Sequence, residues 1–146
     1  MSFFKKLFGG GDPAPDTQGA SKQVLALMST ELSIREPALN RALQLGDAAA
    51  LQEVEEAIKR LTGKRQIDFY RPGGMHMGSP QEAYNQVVAL ARQRKFSQDP
   101  AFVQSLIPGV AYMNEQLMRE LLTIDPKALA IYQLLGIQMQ LKIQVG

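Results

Sequence analysis

Apolar residues recur along most of this chain at steps of three and four, the spacing of helices with one buried face. Val24, Leu25, Met28 and Leu32 trace a first stripe, which the pattern ends near Pro37 because the residue before a proline disfavours the helical region. A short segment carrying Leu39, Ala42 and Leu43 stops at Gly46, a natural C-cap. Asp47 then caps a helix in which Leu51, Val54, Ile58 and Leu61 recur before Gly63 closes it. On its outer face Glu55 stands four before Lys59 and Glu56 four before Arg60, the stabilising orientation. Glu53, Glu55 and Glu56 therefore read as a solvated helix face and not as a catalytic carboxylate pair.

Three further starts carry a cap followed by proline. Ser79-Pro80-Gln81-Glu82 is a capping box, with Tyr84, Val87, Val88 and Ala91 facing the core of a helix that runs to about Arg94. Asp99-Pro100 opens a short helix through Leu106. Pro108 is expected to begin another, with Val110, Met113, Leu117, Leu121 and Ile124 on one side, and Asp125-Pro126 opens the last. The fold class is mostly α: a compact domain of about five to six helices.

The C-terminus admits two periods. Ile137, Met139, Leu141, Ile143 and Val145 alternate with Gln138, Gln140, Lys142 and Gln144, which predicts a strand over 137–145. Its backbone groups would pair with residues 66–70 or with a second copy, and the latter makes the protein a homo-oligomer. The alternative is a helix from Pro126, since Ile131, Leu135, Met139 and Ile143 also align every four residues. Residues 128–141 form a charge-free run of 14, short of the roughly 18–20 a membrane span needs.

The helical domain occupies residues 21–146, and what precedes it is different in kind. Residues 1–8 hold three of the six phenylalanines, and on a helix Phe3, Phe4, Leu7 and Phe8 form one apolar stripe beside Lys5 and Lys6. The stretch is too short, and too interrupted by lysine, for a secretory signal. Residues 9–20 are rich in Gly, Pro and small polar side chains and read as a flexible linker, whose residues 9–19 have a reach of roughly 15–20 Å. The peptide is thus expected to dock to a membrane surface or into a groove on a partner protein.

Charge and chemistry refine this picture in two places. The net charge of +2 conceals a segment from Lys59 to Lys95 with eight basic residues against Asp68 and Glu82, set in an acidic remainder. Lys59, Arg60, Lys64, Arg65, Arg71, Arg92, Arg94 and Lys95, with Phe69 and Tyr70 among them, could meet phosphates and stack on bases, which makes nucleic-acid binding the alternative function. The same cations also sit where they offset helix macrodipoles.

Candidate catalytic chemistry is sparse. The chain has no cysteine and a single histidine, His76, in a glycine-rich loop with Met75 and Met77. Those soft donors would suit Cu(I), but a lone histidine without a second cluster assigns no metal. Gly63-Lys64 is followed by Arg65 where a phosphate-binding loop needs serine or threonine. The expectation is a non-enzymatic adaptor without cofactor, cytoplasmic or peripheral at the membrane.

Overall fold

A computed structural model describes residues 16–69, 79–110 and 114–146. Among these, the chain forms seven helices: α1 (Lys22–Met28), α2 (Leu32–Leu45), α3 (Ala48–Thr62), α4 (Pro80–Arg92), α5 (Pro100–Val110), α6 (Glu115–Ile124) and α7 (Pro126–Val145). No strand occurs among the described residues.

Most helix starts are fixed by local hydrogen bonds that the sequence announces. Asp47 Oδ1 accepts from the Ala50 amide at 2.8 Å, Ser79 Oγ from the Glu82 amide at 3.1 Å, and Asp125 Oδ1 from the Lys127 amide at 3.1 Å. Each satisfies a first-turn donor that would otherwise be orphaned. Ser79→Ala is expected to lower stability by about 1 kcal/mol, read as an earlier urea midpoint with unchanged slope. Gly46 and Gly63 close α2 and α3 with φ of 58° and 75°, the left-handed region that favours glycine.

The C-terminal strand expected over 137–145 is instead the second half of α7. That helix is 20 residues long and buried nearly all round, from Ala128 through Leu141. A helix satisfies its backbone internally, so neither residues 66–70 nor a second copy is required to pair with it, and the ladder argument for oligomerisation goes with the strand. The alternation arose because a buried pair one turn apart, Ile137 and Leu141, is followed by the exposed Ile143 and Val145 at the helix end. No helix among the described residues is long and apolar enough to cross a membrane.

Two proline boundaries also move. Pro37 lies inside α2, and the break falls at residues 29–31. The hydrogen bond lost at Pro37 would have gone to the carbonyl of Ser33, and both residues are exposed, where water can compensate. The buried face of α1 is Val24, Leu27 and Met28, while Leu25 points outward. Pro108 sits in the last turn of α5, held there by Val103, Leu106, Ile107 and Val110 in the core, and α6 starts later at an Asn114 cap.

The core is organised about α7. Helices α1, α2 and α3 pack together and cover one side of it; α5 and α6 cover the other, with α4 laid across both. Arg35 meets Gln133, and Gly46 lies against Gln144, so α2 runs parallel to α7. The chain reverses at Gly46 and α3 runs antiparallel, bringing Glu55 against Gln138. A buried polar thread crosses the axis: Gln104 Nε2 donates to Gln138 Oε1 at 2.6 Å and to the Leu135 carbonyl at 3.0 Å, and Gln138 Nε2 donates to Glu55 at 2.8 Å. It joins α5, α7 and α3, with both glutamines inaccessible to solvent.

Candidate functional site

The amphipathic peptide of Phe3, Phe4, Lys5, Lys6, Leu7 and Phe8 lies outside the described residues, as do Tyr70, Arg71 and the loop of His76. The structure does describe where the chain that follows the peptide joins the body. Arg60, in the last turn of α3, donates from Nη1 to the carbonyls of Asp16 at 3.2 Å and Gln18 at 2.7 Å, and its own carbonyl accepts from the Asp16 amide at 3.2 Å. Ion pairs to Glu56 at 3.3 Å and Asp16 at 3.9 Å complete the clasp. The end of the segment read as a linker, residues 16–20, is therefore fastened to α3.

That clasp changes the reading of the basic segment. Arg60 is occupied by the chain's own backbone and carboxylates, and its side chain is mostly covered. Arg92 pairs with Glu120 at 3.6 Å, and the Tyr84 hydroxyl donates to the same carboxylate, which with partial desolvation pushes the Tyr84 pKa up to about 12. Lys64, Arg65, Arg94 and Lys95 are exposed, whereas Phe69 is half-buried against the core. Lys59 and Arg60 sit on α3, which packs on α7, and Arg92 sits on α4, which packs on α5 and α6.

A groove that the sequence did not announce opens between α2 and α6, with α7 as its floor. Leu32, Met118, Leu122 and Leu129 supply apolar walls around a cavity of about 180 Å³. Glu36, Glu115 and Arg119 stand at its edge, the last two paired at 3.7 Å. The volume falls below that of drug-sized ligand sites, roughly 300–1,000 Å³, and suits a single bulky apolar side chain. Leu122 remains 38% exposed in it.

Gln133 connects this groove to the most unusual side chain of the interior. Its Oε1 accepts from Arg35 Nε at 2.8 Å, and its Nε2 contacts the Met118 sulfur at 3.7 Å. Arg35 is fully inaccessible, donates from Nη1 to the Ser29 carbonyl at 2.7 Å, and has no hydrogen-bond partner for Nη2 among the described residues. Burial pushes its pKa below the ordinary value, against the pull of the neighbouring Glu36 carboxylate. Arg35 is a structural cation, locking the α1–α2 turn to α7.

Among the described residues no group of three or more His, Cys, Asp or Glu side chains is placed to hold a metal ion. The groove was invisible in the sequence because its walls are contributed by residues some 80 positions apart. Comparisons with protein-family models, curated proteins and solved structures each gave no match.

Proposed function

We propose that this protein is a non-enzymatic interaction module of the adaptor type, in which a helical body carries an amphipathic peptide to an anionic membrane surface at the cytoplasmic side. The observation that supports the reading is the clasp at Arg60. It fastens the chain at Asp16 and Gln18 to the last turn of α3. In the sequence, a Gly- and Pro-rich stretch and the apolar-basic peptide of Phe3, Phe4, Lys5, Lys6, Leu7 and Phe8 precede it. Among the described residues, the shifted ionisations at Arg35 and Tyr84 both belong to side chains that join helices.

The energetics favour weak, reversible docking. Each buried Phe or Leu contributes about 1.5–3 kcal/mol and each lysine near an anionic surface about 1 kcal/mol. Ordering a helix this short opposes them, because its nucleation is unfavourable in water. Loss of two apolar anchors should therefore remove most of the binding. In co-sedimentation with phosphatidylserine-containing vesicles, Phe4→Ser/Leu7→Ser is expected to bind more than tenfold more weakly than the wild-type chain. Equal binding would overturn the membrane reading, and wild-type chain captured only by a protein partner would move the same peptide to a protein groove.

The nucleic-acid alternative has one cation fewer than the sequence suggested, since Arg60 is mostly covered and held by the chain's own carbonyls. It would regain ground only through salt-sensitive binding that Arg65→Glu/Arg94→Glu abolishes.

A further inference from the structure

We propose that the groove between α2 and α6 is the resting seat of the chain's own N-terminal peptide, residues 3–8. An apolar side chain of the stripe fills the cavity over α7, and Lys5 and Lys6 face the groove's acidic edge. The proposal builds on the amphipathic reading of the peptide and adds a device that holds it off the membrane until lipid competes.

Three observations converge on this occupant. The first is chemistry: Leu32, Met118, Leu122 and Leu129 make an apolar cavity sized for one bulky side chain, and the peptide offers Phe3, Phe4, Leu7 and Phe8. The second is charge. Glu36 and Glu115 stand at the edge, with Arg119 drawn to Glu115, and the peptide brings two adjacent lysines.

The third is where the chain enters. Because α3 runs antiparallel to α7, its last turn, where Arg60 clasps Asp16, lies at the end of the bundle where α7 begins. The groove is lined by Leu129 and Gln133, in the first half of α7, and by Leu32 and Glu36, in the first turns of α2, so it opens at that same end. Neighbouring helix axes are about 8–10 Å apart, which puts the groove roughly two helix widths from α3. Residues 9–15 span about 13–16 Å as a flexible coil and about 23–25 Å when extended, enough to cross it. A tether this short sets an effective peptide concentration in the millimolar range, which favours the chain's own groove over that of a second copy.

The test uses the full chain. It has no cysteine, so Ser2→Cys carries a single nitroxide label, and the broadening of backbone amide signals reports where the peptide sits. Broadening centred on Leu32, Met118 and Leu122 is expected, and it should persist on dilution. Lys5→Glu/Lys6→Glu, which leaves the body untouched, should remove it, and adding Glu36→Lys/Glu115→Lys should restore it. The exposed residue change Leu122→Lys should also remove it and, by freeing the peptide, raise affinity for anionic vesicles about tenfold, as expected for a seat occupied about nine-tenths of the time.

Broadening elsewhere, or none, overturns the proposal. Broadening that appears between labelled and unlabelled copies and fades on dilution overturns the own-chain occupant in favour of a second copy. Groove broadening in a chain that no vesicle binds sustains the seat and refutes the membrane reading alone.

Discussion

Leu141→Ala is expected to destabilise the protein by about 2–5 kcal/mol, whereas Ile143→Ala, two residues on, should stay within about 0.5 kcal/mol of wild type. Leu141 is fully buried on α7 and Ile143 is 64% exposed. In a half-buried strand the two would share one face and lose comparable amounts on truncation. The urea midpoints of the two variants therefore separate helix from strand at the one place where the two periods compete. Leu141 also lies on the axis that both halves of the bundle pack against, so its cavity cannot be closed by the movement of one surface helix.

Gln133→Leu carries the second large effect. It strips Arg35 Nε of its acceptor while Nη2 already lacks a partner, leaving a buried guanidinium with only the Ser29 carbonyl. An unsatisfied buried donor costs about 1–3 kcal/mol, more when charged, so a loss of about 2–3 kcal/mol is expected. Arg35→Met/Gln133→Leu should recover at least half of it, because replacing a buried polar pair with apolar side chains of similar volume is often neutral. Urea unfolding of the two single variants and the double variant completes the cycle. Additive losses would mean that the two side chains do not depend on one another.

Much of the helical order was legible because its signals are local. Asp47, Ser79 and Asp125 each bond an amide two or three residues ahead, and Gly46 and Gly63 take the left-handed backbone conformation that the lack of a Cβ permits. Pro37 and Pro108 misled because a proline removes one hydrogen bond, a cost that burial of the same helix's other face can outweigh. The boundary there was set by residues far away in sequence. The C-terminus misled for a related reason: alternation describes which residues are apolar, while α3, α5 and α6 decide which of them are covered.

The candidate site divides in the same manner. Phe3, Phe4, Leu7 and Phe8 form a stripe that a reader can find by counting, and the linker after them is a matter of composition. The clasp at Arg60 was missed, since the sequence places Arg60 beside Glu56 and says nothing of Asp16 and Gln18. The groove was out of reach altogether, because Leu32 and Leu122 meet only once α2 and α6 have docked on α7. Conversely, the basic run from Lys59 to Lys95 is conspicuous in sequence, while the engagement of Arg60 by Asp16 and Gln18 is visible only in the fold.

Membrane docking is measured most directly by the partition of the intact 146-residue chain onto vesicles of increasing phosphatidylserine content, at low and at high salt. Binding is expected to rise with anionic lipid, to weaken as salt screens Lys5 and Lys6, and to retain an apolar remainder from the phenylalanine stripe. A chain that stays in solution at every lipid composition would contradict it.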